Sequence, residues 1–377
     1  MSLIEKIVDL VEDTTMPDGQ IIDLHAIEDG PLKIRVPTGW RDTDLKKVPA
    51  EWLNDMLLVI DKNWSNNLAT RGTISCTVDM NSCRLRCTAF RERSGRKRGL
   101  VMRKVPYKPI SLEKLGLPIQ IMKLIAQMRG LVLVTGQTGA GKTTSIASLL
   151  THINETYRNH IITIEDPIEY EIFDQQSIVT QREVPTDIPS FAHGIHDAMR
   201  QSPDVIFVSE IRDADTAETV LRASESGHLV LATLHASSAI GAIQKLLSFF
   251  PSNEWDGRLS TIANNLLMAV YQTLIPTADG MRFAMAAEYL CNHNQQIANN
   301  LLHRDRWPQA VEYAKRSEDR VSRLLNASIM ELLLSKTIAP SAAIQASNNR
   351  IDLRDKMQAA QISLLDQTRE REVALSR

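Results

Sequence analysis

Residues 136–143 read GQTGAGKT, a glycine-rich turn closed by a lysine and a hydroxyl residue. The spacing G-x-x-x-x-G-K-[ST] suits a polyphosphate. Glycines let successive backbone N–H groups turn inward around phosphate oxygens, and a helix starting at the lysine adds its N-terminal partial positive charge. An apolar run, LVLVT, precedes the turn and a helical run, SIASLL, follows it, the strand-loop-helix context that such a loop requires. In this reading Gly136, Gln137, Thr138, Gly139, Ala140, Gly141, Lys142, Thr143 and Thr144 form a phosphate-binding loop. Lys142 reaches the β- and γ-phosphate oxygens and Thr143 holds Mg²⁺, so ATP with Mg²⁺ is the expected ligand.

Three further stretches carry chemistry. PDVIFVSEIRD (203–213) is a buried-strand run ending in Glu210, with Asp204 at its beginning and Ser209 where many such motifs place Asp. Acids at that position order water or Mg²⁺ near a γ-phosphate, so Glu210 is the expected general base or water-positioning residue and, partly through water, a metal ligand. The plainer alternative is a solvated acid at a strand end. IITIEDPIEY (161–170) runs into Glu165, Asp166 and Glu169 around Pro167. The carboxyl edge of an open α/β sheet is where nucleotides bind, so one or two of these serve water or metal and the rest fix the loop. SGHLVLATLHASSA (226–239) places His228 and His235 at the two ends of an apolar run. Six intervening residues match no tight metal-ligand spacing. On residue type alone, catalytic, metal-binding and core readings of this pair stay open.

The elements that must hold these residues follow from patterning. In the first hundred residues IIDLHAI, LKIRV, GTISCTV and RLRCTAF alternate apolar and polar positions, with helical stretches at about 2–12 and 50–63. That is a small α+β domain, residues 1–106. VPYKPISLEKLGLP has three prolines, and 107–117 reads as a linker. Beyond it LVLVT, HIITI, DVIFV and HLVLAT alternate with helical segments, as in a mostly parallel sheet covered on both faces. From about Ser260 the pattern reads as helical, giving a second domain over 118–350 and a polar tail over 351–377 that is either helical or disordered.

Composition narrows the function classes. The 377 residues suffice for two cores, and a net charge of −2 provides no global attraction to nucleic acid or anionic lipid. RLRCTAFRERSGRKRGLVMRK (84–104) is locally basic but has only Phe90 for base stacking, so a solvated hairpin competes with a phosphate-binding patch. The four cysteines form no CxxC pair, and buried thiols of a reducing compartment are favoured over a zinc or disulfide site. No apolar run approaches a membrane span and the N-terminus has no signal-peptide core, so a cytoplasmic location is expected.

TGQTGAGKTT, TIEDPIEY, QREV, PDVIFVSEIRD and SGHLVLATLHASSA, in that order, resemble the secretion ATPase superfamily that includes the PilT and GspE proteins. The resemblance implies a PAS-like N-terminal α+β domain followed by a RecA-like P-loop ATPase domain with C-terminal helices, assembled as a homo-hexamer. By position, Glu169 matches the hydrolytic acid of the family's Asp box, Glu210 the Walker B glutamate, and His228 and His235 the His box. Arg84, Arg86 and Arg103 match the arginines that the N-terminal domain supplies to ATP; Arg93 and Arg98 match less well. DIPSFAHGIHDAMRQSP and the region after QTLIPT look most like the DotB/TraJ-type branch. That branch implies an ATP hydrolase powering type IVB secretion or conjugation. Its partners would be inner-membrane secretion-complex proteins and another secretion ATPase, with membrane association only through them and no direct nucleic-acid ligand. Pilus retraction, a nucleotide-gated docking scaffold and a nucleic-acid translocase are the competing functions. QQIANNLLHRD keeps Ile297 and Asn299 of the retraction motors' AIRNLIRE-like motif but has Ala298 for its first arginine, and the tetracysteine motif of extension and type II ATPases is absent.

Overall fold

Strict alternation of apolar and polar residues builds an antiparallel sheet with one face packed and one face open. The computed structural model describes residues 3–12, 21–81, 83–115, 122, 125, 126, 128–316 and 321–362. The sheet runs in the order β3-β2-β1-β6-β5-β4. Its strands are β1 (Asp23–Ile27), β2 (Lys33–Val36), β3 (Gly39–Asp42), β4 (Thr73–Asp79), β5 (Cys83–Glu92) and β6 (Lys97–Pro106). Leu24, Leu85 and Met102 face inward and join α1 (Leu3–Glu12), α2 (Ala50–Ile60) and α3 (Trp64–Arg71) in one core. The helical stretch at 50–63 is broken at Asp61, whose carboxylate accepts from the Asn63 N–H at 2.7 Å and the Asn67 amide at 2.6 Å. The basic run is the β5–β6 hairpin, with Arg93, Ser94 and Gly95 at positive φ in its turn.

The second sheet has seven strands in the order β13-β12-β7-β11-β10-β8-β9. Strands β7 (Gly130–Thr135), β8 (His160–Glu165), β9 (Ile178–Glu183), β10 (Val205–Val208) and β11 (Leu229–Leu234) are parallel to their neighbours. Alternate residues of β7 enter opposite cores, Leu131 and Leu133 on one side and Val132 and Val134 on the other. Both faces are therefore covered, which is why these strands read as unbroken apolar runs. Helices α5 (Lys142–Thr156), α6 (Phe191–Ala198), α7 (Ala214–Glu225), α8 (Ala239–Leu247) and α9 (Trp255–Asn265) connect or follow the strands; α4 (Leu112–Leu115) is a single turn ahead of them.

The region after Ser260 corrects the helical expectation. Leu266–Pro276 and Phe283–Cys291 are strands β12 and β13, and β12 lies parallel to β7. A fully buried strand and a buried helix share the same continuous apolar signal, so LLMAVYQTLIP could not be told apart locally. Helices α10 (Gln295–Leu301), α11 (Trp307–Arg316), α12 (Leu325–Leu334), α13 (Pro340–Ala346) and α14 (Arg350–Ala359) are the last among the described residues. The last of these covers the start of the polar tail, and residues 363–377 of that tail lie outside the described residues. By contacts the chain divides after Lys108, with Pro276–Phe283 grouped with the first unit. Thus the PAS-like α+β and RecA-like parts with C-terminal helices are both present. No described helix is long and apolar enough to cross a membrane.

Candidate nucleotide site

The phosphate-binding turn sits between the end of β7 and the start of α5. Gly136 has φ +156°, and a Cβ there would lie 2.4 Å from the Gln272 carbonyl oxygen of β12, so a side chain is excluded by backbone. Gly141 has φ +81°, a left-handed conformation that favours glycine immediately before the helix. The Gln272 amide donates to the Ala140 carbonyl at 2.7 Å and braces the turn from the neighbouring strand. The turn then runs into the fifteen residues of α5, whose N-terminal N–H groups and helix dipole suit an anion. Lys142 donates to the Gly136 carbonyl at 2.9 Å. Burial holds its pKa below the usual lysine range, and the charges of Glu210 and Glu169 oppose that shift.

Strand order brings the other groups to the same edge. Because β10, β11 and β7 are adjacent, Glu210, His235 and Gly136 emerge side by side at their carboxyl ends. His235 Nε2 lies 3.2 Å from Glu210 Oε1, and His235 Nδ1 lies 3.2 Å from the Gly136 carbonyl oxygen. Lys142 Nζ is 3.5 Å from that same Nδ1. A proton on Nε2 therefore faces Glu210 and leaves Nδ1 to accept from Lys142, whereas a proton on Nδ1 turns to the loop carbonyl. Thr135 closes the junction, donating to the Leu234 carbonyl at 2.9 Å and accepting from the Ala236 N–H at 2.6 Å.

Arg212, which sequence reasoning did not single out, holds the acids in place. It donates to Glu210 Oε2 and to Asp166 Oδ2, each at 2.8 Å, and these two carboxylates keep its guanidinium firmly protonated. Glu210 thus stands between a fixed cation and the histidine. At the end of β8, Glu165 is 3% exposed and accepts from Thr163 at 2.7 Å and Gln181 at 3.0 Å. Burial pushes its pKa up to about 7 despite those bonds. Thr143 of α5 lines the small cavity that Glu165 and Tyr170 face.

Two groups of expected residues are carried by other elements. His228 precedes β11 at the opposite end of the strand from His235, and its Nδ1 is 3.0 Å from the Ala223 carbonyl oxygen. Arg84, Arg86 and Arg103 lie on the face of the first unit's sheet opposite the residues that enter its core. Arg84 donates to Asp79 at 2.8 Å, Arg103 to the buried Asp23 at 2.8 Å, and Arg86 stands opposite Arg103 in the β5–β6 register. The cysteines are free thiols, with Cys83, Cys87 and Cys291 buried, and no cluster of three potential metal-ligating His, Cys, Asp or Glu side chains occurs among the described residues.

A parallel sheet with a phosphate loop, an opposed glutamate and helices on both faces defines a RecA-like P-loop nucleotide-binding domain. Residues 57–376 match the family described as Type II/IV secretion system protein, and the chain belongs to this family, part of the PilT/GspE-like secretion ATPase superfamily. A twitching motility protein of Neisseria gonorrhoeae is 32% identical over 318 residues, 84% of this chain and 84% of its own. The structure of the pilus retraction motor PilT with bound ADP superposes with a TM-score of 0.79 at 32% identity, covering 94% of this chain and 99% of that one. The Legionella pneumophila ATPase DotB superposes with a TM-score of 0.78 at 25% identity, covering 91% and 93% respectively.

Proposed function

We propose that this chain is a Mg²⁺-dependent ATP hydrolase that works as a homo-hexameric motor, converting nucleotide turnover into domain motion. The observation that carries the reading is the convergence of Lys142, Glu210 and His235 on the phosphate loop. Lys142 and the N–H groups of the turn and α5 bind the β- and γ-phosphates. The Thr143 hydroxyl and, through water, Glu210 supply hard oxygen donors suited to Mg²⁺, which neutralises phosphate charge when bound. Glu210, held by Arg212, orients the attacking water, with Glu169 assisting. His235 bridges Glu210 and the loop, so loss of the γ-phosphate changes what its ring contacts. Arg84, Arg86 and Arg103 are the candidate cations that neutralise transition-state charge. Purified chain should hydrolyse ATP only with Mg²⁺, and Lys142→Ala should abolish turnover; activity that survives either EDTA or this substitution would refute the assignment.

The machine we assign to this motor is a type IVB secretion or conjugation apparatus at the inner membrane, supported by the motif resemblance to the DotB branch. There it would meet inner-membrane complex proteins and a second secretion ATPase. Pilus retraction is the second reading, favoured by the greater identity to PilT than to DotB, 32% against 25%. The departure at Ala298 counts against it. Deleting the gene separates them: loss of effector or DNA transfer with normal pilus dynamics supports the first, and hyperpiliated, non-retracting cells support the second.

A further inference from the structure

The QREV stretch has no part in the mechanism above, yet β9 grips the loop that carries Glu169. Side chains alternate along a strand, so Gln181 and Glu183 share one face and Arg182 takes the other. Arg182 accordingly pairs with Asp197 of α6 at 3.5 Å. Gln181 and Glu183 both turn to residues 168–172. The Gln181 amide nitrogen donates to the Tyr170 carbonyl at 2.9 Å and to Glu165 at 3.0 Å, while its oxygen accepts from the Ile172 N–H at 2.7 Å. Glu183 accepts from the Ile168 N–H at 3.2 Å, and the Glu169 N–H bonds to the Glu165 carboxyl. The Tyr170 hydroxyl lies 3.0 Å from Thr144 Oγ1 on the phosphate-loop helix.

We propose that Gln181 is a positioning residue for hydrolysis, fixing the backbone beside Glu169 so that its carboxylate is held relative to the phosphate loop. The proposal rests on Glu169 assisting hydrolysis, as argued above. Gln181 touches no reacting atom. Both of its amide hydrogens and its oxygen are committed to the acidic loop and to the carboxyl that holds the Glu169 N–H. A glutamate at 181 has the same shape but loses both donors and faces Glu165 with a second carboxylate. The loop then loses an anchor at Tyr170, and displacing an assisting group by about 1 Å costs on the order of 10²-fold in rate.

The test uses the full chain and compares kcat for MgATP with Kd for a fluorescent ADP analogue. Gln181→Glu should lower kcat about 10- to 100-fold while leaving Kd within about twofold, and adding Glu169→Gln should bring little further loss, because both act through one carboxylate. A mere edge-strand brace would not produce that non-additivity. Tyr170→Phe, a milder change that keeps the fold, should lower kcat about three- to tenfold with the same non-additivity, from loss of one hydrogen bond. Turnover within twofold of wild type in both variants, or losses that multiply with Glu169→Gln, would overturn the proposal while leaving the ATPase reading intact. Wild-type chain without Lys142-dependent turnover would instead remove both.

Discussion

The two ends of the second sheet carry the same residue types and put them to different use. At the carboxyl ends, Asp166, Arg212, Glu210, His235 and Lys142 form a chain of charged and titratable groups in contact with one another. At the amino ends, histidine and aspartate are absorbed by the scaffold. His228 meets the Ala223 carbonyl at 3.0 Å, His160 meets the Gln201 carbonyl at 3.0 Å and Thr180 at 3.1 Å, and Asp204 accepts the His160 N–H at 2.8 Å. The difference lies in the direction of the helices. In parallel β/α units each crossover helix begins at a strand's carboxyl end, so N-terminal partial charges gather there and an anion is favoured. Chemistry collects where the ligand's charge is stabilised, and equal residue types at the far edge become structural.

That contrast is sharpest at the phosphate loop itself. Lys142→Ala should reduce ATP turnover by at least about 10³-fold, since it removes the loop cation proposed to meet the phosphates. Steady-state phosphate release checks this. Glu210→Gln keeps the shape but not the base, and should lower kcat about 10²- to 10³-fold while a fluorescent nucleotide still binds. Tight binding with undiminished turnover would move the water-orienting role to another acid.

The paired histidines test the comparison directly. His235→Ala should cost about 10- to 100-fold in kcat. His228→Ala should leave kcat within about twofold and lower stability by about 1 kcal/mol, the worth of one lost hydrogen bond. Equal kinetic losses would break the distinction between the two ends.

Glu165 gives the smallest effect on activity and a definite pH signature. Its folded pKa is raised from 4.5 to about 7, so the native state keeps a proton that the unfolded chain releases first. The stability associated with that proton is fully present below about pH 4.5 and is lost as pH rises through about 7. Relative to Glu165→Gln, the wild type should therefore weaken by on the order of 3 kcal/mol between those limits. Urea unfolding at pH 5 and pH 8 measures it, and parallel behaviour of the two proteins would contradict the buried-acid assignment.

Much of this architecture is legible in the chain. The phosphate loop, the acid after DVIFV and the acids around Pro167 each reveal themselves by local spacing, because a turn or a strand end is specified within about ten residues. Strands β1, β2, β4 and β5 of the first unit are legible for the same reason, whereas the short, exposed β3 is not. Strands β9, β12 and β13 are not. Strand β9 mixes polar residues into a short edge, and β12 looks like a buried helix until its pairing with β7 is known. Arg212 and Gln272 reach partners distant in sequence, Asp166 and Ala140, and a lone arginine or glutamine has no periodicity to betray it.

By itself, then, the sequence settled that a glycine-rich turn with phosphate-loop spacing opens a helix, where it begins, and which acid and histidine types accompany it, because backbone turns and residue chemistry are local properties. Only the tertiary structure settled which of them meet. Gly136 and His235 are 99 residues apart and touch because β11 lies beside β7. Strand order is chosen by the packing of two apolar faces at once, a global competition that no short window of sequence contains.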